Sequence, residues 1–92
     1  MHNRYQIKHI TNHKEYPYDL LLLADETVHA IDKYLYDSLV YVVYDVKMPI
    51  AVFCLYPVYS ETLEIKNIAV SPAFQGMGLG SQLLDFIKAN YQ

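Results

Sequence analysis

Leu63-Glu64-Ile65-Lys66-Asn67-Ile68-Ala69-Val70-Ser71-Pro72-Ala73-Phe74-Gln75-Gly76-Met77-Gly78-Leu79-Gly80-Ser81-Gln82-Leu83-Leu84 joins a strand-like run to a helix-like run. The join carries three glycines within five residues. Glycine lets a backbone turn sharply and approach a ligand closely, with no Cβ in the way. The helix that opens there offers unpaired N–H groups and the positive end of its dipole. Such an entrance suits an anion, most often a phosphate. The stretch therefore reads first as a pyrophosphate cradle, against the plainer reading of a strand-to-helix turn, which needs one glycine and not three.

Spacing separates the phosphate ligands. A Walker loop ends in Gly-Lys-Ser/Thr, whereas Gly80 is followed by Ser81 and Gln82, with no lysine in the loop. A dinucleotide fingerprint that used Gly76 and Gly78 would place its third glycine at Ser81. That fold also needs a second parallel strand with an acid for the ribose, and none is expected between the helix and Gln92.

Residues 63 to 84 resemble the acyl-CoA signature of the GNAT superfamily of N-acyltransferases, Gln/Arg-x-x-Gly-x-Gly/Ala, met here by Gln75, Gly78 and Gly80. An Ala-Val-x-Pro strand end before the loop and a Leu-Leu pair after it extend the match. The resemblance implies that backbone N–H groups of Gly76, Met77, Gly78, Leu79, Gly80 and Ser81 hold the pyrophosphate of coenzyme A, with Gln75 bordering the loop. It implies that Ile68, Ala69 and Val70 meet the pantetheine arm through backbone groups, and that a bulge near Asn67 splays the strand. The reaction implied is direct transfer of an acyl group, by default acetyl from acetyl-CoA, to a primary amine of a small molecule or peptide. Glu64 is the candidate general base, and a backbone N–H near Ile68 the donor to the thioester carbonyl. Against this stands the plainer reading of Glu64 as an ordinary solvated strand glutamate. Substrate contacts are expected in the loops Tyr16–Tyr18 and Asp25–Thr27. The alternative function is a non-catalytic coenzyme A-binding or assembly module derived from such an enzyme.

Members of that superfamily usually continue with a further strand, helix and hairpin that wall the other side of the groove and often supply a general acid. Only the amino-terminal half and the acyl-CoA motif are resembled here, so a general acid is not carried over. One edge of strand 63–70 is then expected to be unpaired. Open edges recruit other chains, so a homodimer or higher assembly is expected.

The rest of the chain constrains the reading. Its 92 residues suggest a single domain, 1–92, and 53% hydrophobic residues exclude disorder. A formal charge of −3, without a Lys/Arg cluster, argues against nucleic acid and acidic membrane partners. Leu20 to Ala24 is the longest apolar run, too short for a membrane span, and Met1 to Tyr5 lacks a signal-peptide pattern. Cys54 is the sole cysteine, so a reducing cytoplasm is the simplest setting. Its apolar strand context argues for a buried thiol rather than a nucleophile. His9 and His13 straddle a strand end and a loop, and no metal site is expected. Several of the ten tyrosines, Tyr41, Tyr44, Tyr56 and Tyr59, fall in strand-like text and fit half-buried sheet positions.

Periodicity gives the order β-αα-β-β-β-α, an α/β (α+β) layer with a mostly antiparallel sheet. Tyr5–Ile10 reads as a strand, Thr11–Pro17 as a loop and Tyr18–Ala24 as a short helix. Asp25 resembles a helix cap, giving two helices, or one kinked helix, that end near Ser38. Strands follow at Leu39–Val46, Ile50–Tyr59 and Leu63–Val70, with turns at Lys47-Met48-Pro49 and Ser60-Glu61-Thr62. The last helix, Leu79–Asn90, carries Leu79, Leu83, Leu84 and Ile87 on one face.

Overall fold

A computed structural model describes residues 4–59 and 61–91. Expectations that touch Met1 to Asn3, including His2, and Ser60 or Gln92 lie outside the described residues. Four strands, β1 (Tyr5–Ile10), β2 (Leu39–Asp45), β3 (Met48–Tyr59) and β4 (Thr62–Val70), form an antiparallel sheet in the order β1-β2-β3-β4. The strands are rich in Val, Ile and Tyr, whose branched or aromatic side chains pack on a pleated surface. Alternation then divides them between two faces.

On one face, Val40, Val42, Val52, Cys54 and Ala69 pack under Leu20, Leu21, Ile31 and Leu35. This face is covered by α1 (Tyr18–Leu21) and α2 (Val28–Asp32). On the other, Val43, Ala51, Phe53 and Leu55 pack under Leu79 and Leu83 of α3 (Leu79–Tyr91). Phe53 is fully buried and stacks on Tyr41 at 5.0 Å. Each such buried Leu or Phe contributes roughly 1.5–3 kcal/mol, which fixes the glycine loop between β4 and a well-docked helix.

Local structure corrects four expectations. Asp25 does not cap α2; Thr27 does, its Oγ1 accepting the Ala30 N–H at 3.1 Å. Asp25 instead accepts hydrogen bonds from Tyr34 and Asn67, so its carboxylate is turned to the sheet and not to the helix entrance. The helical text is also more broken than its periodicity implies. α1 ends at Leu21, and a single 3₁₀ turn, Leu35–Asp37, follows α2. The β2–β3 turn lies at Val46 and Lys47, and Met48 and Pro49 already belong to β3. Proline is tolerated there because the pairing shifts register beside it, from Val43 opposite Ala51 to Tyr44 opposite Pro49. On α3, Leu84 is 40% exposed while Leu83 is buried, so the apolar face is narrower than its spacing implies.

Candidate active site

β4 is the outer strand on its side of the sheet. Ser71 N–H reaches the Ile50 carbonyl of β3 at 2.8 Å. Backbone groups alternate in direction along an antiparallel strand. Ala69 therefore turns its N–H and C=O toward β3, and Ile68 and Val70 turn theirs to the open edge. The Gln75 amide agrees with this: its Nε2 donates to the Val70 carbonyl at 2.8 Å. Gln75 thus ties the loop back to the strand end.

Pro72–Phe74 makes one 3₁₀ turn before the glycines. Gly76 and Gly78 take φ of +80° and +78°, a region that a Cβ disfavours. Gly78 then accepts the first intrahelical bond, from Gln82 N–H at 3.1 Å. The N–H groups of Leu79, Gly80 and Ser81 precede that bond and have no carbonyl within the helix to receive them. Gly80 has an ordinary φ, and a Cβ built on it would meet nothing within 4 Å. Neither conformation nor packing requires glycine there. Val70, Gln75, Gly78, Gly80 and Ser81 line an open concavity of about 280 Å³ at this helix entrance. Unpaired N–H groups, a helix dipole and an uncrowded Gly80 fit a diphosphate.

The middle of β4 is bulged. Cys54 pairs with Asn67 and Leu55 with Ile65, so Lys66 is the extra residue. The bulge puts Glu64 and Asn67, three apart, on one face: Glu64 opposes Tyr56, and Tyr56 and Cys54 both belong to the α1–α2 side. Glu64 lies roughly 20 Å along the strand from Val70 at ~3.3 Å per residue, well away from the glycine loop. Its side chain is 51% exposed and ion-paired to Lys66 Nζ at 3.1 Å. Such an exposed pair contributes ~0–1 kcal/mol. Lys66 also sits over the Tyr56 ring, 5.6 Å from its centroid.

Beneath the bulge is a polar cluster that sequence reasoning did not assemble. Asn67 is 3% exposed, and its Nδ2 donates to the Leu21 carbonyl at 3.0 Å, Asp25 Oδ2 at 3.1 Å and Tyr34 Oη at 3.0 Å. Tyr34 O–H donates to the same Asp25 Oδ2. Asn67 Oδ1 is buried without a partner, at a cost of about 1–3 kcal/mol. The Tyr34 hydroxyl titrates above its ordinary range, first from burial and then from its bond to Asp25. Burial, then the Asp25 charge, pushes the Cys54 thiol up to about 12, so it is protonated and inert near neutrality. The signal available in the sequence was one asparagine where the strand turns from charged to apolar residues; its partners lie 33 to 46 residues away.

Among the described residues no group of three or more His, Cys, Asp or Glu could hold a metal ion. None of their helices is long and apolar enough to cross a membrane.

Known proteins share this arrangement. The family model for the acetyltransferase (GNAT) family matches residues 2–90. An uncharacterised N-acetyltransferase of Bacillus subtilis, YvbK, is 39% identical over 67 residues, 73% of this chain and 43% of that protein. A GNAT family acetyltransferase from Elizabethkingia anophelis, crystallised with acetyl-CoA bound, superposes with a TM-score of 0.87 at 41% identity, covering 96% of this chain and 57% of that one. The IAA acetyltransferase from Bacillus cereus gives a TM-score of 0.86 at 34% identity, over 95% and 57% of the two chains. A Bacillus subtilis acetyltransferase in complex with CoA gives 0.73 at 37% identity, over 94% and 56%. The chain thus spans about half the length of the relatives that it matches.

Proposed function

The chain belongs to the acetyltransferase (GNAT) family, and from that premise we propose that it is an N-acetyltransferase using acetyl-CoA and a primary amine of a small molecule or peptide. The observation that carries this is the helix entrance at Gly78–Ser81, where Gly80 leaves open the space that its own packing does not require. Its N–H groups, with those of Gly76 and Met77, hold the pyrophosphate, and Gln75 fixes the loop. The open-edge backbone groups of Ile68 and Val70, with Ala69 between them, receive the pantetheine arm. The coenzyme supplies the acyl thioester. Transfer is direct: the amine nitrogen bonds the acyl carbon, the carbon–sulfur bond breaks, and the thiolate leaves. The Ile68 N–H polarises the carbonyl, and Glu64 takes the amine proton.

Residues 1–92 act as one domain in this reading, in the cytoplasm. A second copy covers the edge of β4 at its start, where Leu63 and Ile65 are 36% and 40% exposed, and leaves the edge at Ile68–Val70 to the pantetheine arm.

Release of free thiol from acetyl-CoA with a panel of amines tests the reaction. Glu64→Gln is expected to lower kcat by roughly 10²–10⁴-fold with little change in acetyl-CoA binding. Undiminished turnover would refute the base assignment. A coenzyme A-binding module without turnover is the second reading, favoured by the Lys66 ion pair that engages Glu64. Acetyl-CoA binding without thiol release from any amine would support it.

A further inference from the structure

We propose that Met77 is a peroxide-sensitive site whose oxidation to the sulfoxide shuts the anion cradle, a reversible redox control over acetyl-CoA binding. The control rests on the coenzyme A reading of the loop; the modification site does not. Met77 stands between Gly76 and Gly78, whose φ values of +80° and +78° set the course of the loop. It is 59% exposed, so a small oxidant in solution reaches it. With Tyr5, Phe74, Leu79 and Gln82 it lines an open cavity of about 210 Å³. A flexible thioether suits this irregular gap, beside the edge-to-face rings of Tyr5 and Phe74 at 6.1 Å. Phe74 and Leu79 also line the concavity at the helix entrance, so the two spaces share a wall. A change at Met77 therefore reaches the anion site through the loop backbone and through that wall.

Hydrogen peroxide is the oxidant. A lone pair on the Met77 sulfur attacks one peroxide oxygen, and the sulfur–oxygen bond forms as the oxygen–oxygen bond breaks. The transferred oxygen gives its proton to the departing hydroxide, which leaves as water. Sulfur loses two electrons and the peroxide gains them. The product is polar and chiral, and its oxygen accepts hydrogen bonds that the thioether accepts only weakly. Phe74 and Leu79 side chains offer that oxygen no donor. The N–H groups of Leu79, Gly80 and Ser81, which follow in the chain, have no carbonyl within the helix. The sulfoxide oxygen turns to these donors and takes what the pyrophosphate needs. The other described sulfur atoms behave differently. Cys54 is buried with its thiol protonated, out of reach of peroxide and slow to react. Met48 is 52% exposed but opens β3 at the turn from β2, and its oxidation leaves the loop as it was.

The test treats the isotope-labelled chain with hydrogen peroxide and locates sulfoxides by peptide mass mapping. Acetyl-CoA binding is measured by calorimetry before treatment, after it, and after incubation with methionine sulfoxide reductases. A sulfoxide at Met77 and a loss of affinity of roughly tenfold or more are expected, with recovery after the reductases. Met77→Leu, compared only with itself, should keep its affinity through the treatment, while Met48→Leu should lose as much as the wild type. In two-dimensional NMR without acetyl-CoA, the Leu79, Gly80 and Ser81 amides should move on oxidation of the wild type and return on reduction. In Met77→Leu they should stay in place. These shifts read the modification site even where the untreated wild type takes up no acetyl-CoA. That result would sink the coenzyme A reading and not the closing of the cradle. No sulfoxide at Met77, unmoved amides, unchanged affinity in the oxidised wild type, or an equal loss in Met77→Leu would each overturn the proposal.

Discussion

Gly80 sits in the first turn of α3 with an ordinary φ and open space at its missing Cβ. Alanine there should be neutral or stabilising, by up to about 1 kcal/mol, because glycine is the poorer helix former. It should also thrust a methyl group at the anion site and weaken acetyl-CoA binding by roughly tenfold or more. Melting curves with and without acetyl-CoA separate the two effects; equal acetyl-CoA stabilisation of both proteins would remove Gly80 from the site. Cys54 carries a pH prediction. Its thiol titrates near 12 in the fold against an ordinary value of 9.0. Above that ordinary value the unfolded chain has released a proton that the fold retains. Stability is therefore fully present below about pH 9 and declines as pH rises toward 12, by about 1.4 kcal/mol per unit for one group. Urea midpoints should fall between about pH 9 and pH 11, and less steeply in Cys54→Ala. Identical slopes would contradict the assignment. Tyr91, raised to about 12 by burial and its bond to Tyr41, adds in the same direction in both proteins.

At the scale of elements, the legible parts were those set by local rules. β1, the last helix and the strand before the glycines are found within a residue of their expected bounds, because each has a clean period and clear stop residues. Gly76 and Gly78 were legible for the same reason, since their positive φ values state a local requirement. The α1–α2 region was misjudged where a long-range contact won. Asp25 looked like a cap, but Asn67 of β4, 42 residues on, holds its carboxylate instead. Composition likewise cannot reveal that Lys66 is the bulged residue, because a bulge is defined by pairing with β3. The conformation of the loop was thus readable, and the bulge that the resemblance implied near Asn67 is found at Lys66; the tertiary hydrogen bonds beneath it were not readable.

Across the molecule, helices cover both sheet faces but the edge of β4 remains open among the described residues. Leu55, Ile65, Leu84, Ile87 and Tyr91 line an apolar groove of about 220 Å³ beside it. Light scattering at micromolar concentration is expected to give a dimer or larger species, and a well-folded monomer would contradict that. The central claim is that the loop from Gln75 to Ser81 holds the pyrophosphate of coenzyme A. Calorimetric titration of acetyl-CoA into the chain tests it most directly. Saturable binding of one acetyl-CoA per chain is expected, weakened roughly tenfold or more in Gly80→Ala and not reproduced by ATP or NAD. Absence of binding, or equal binding of ATP, would contradict the account.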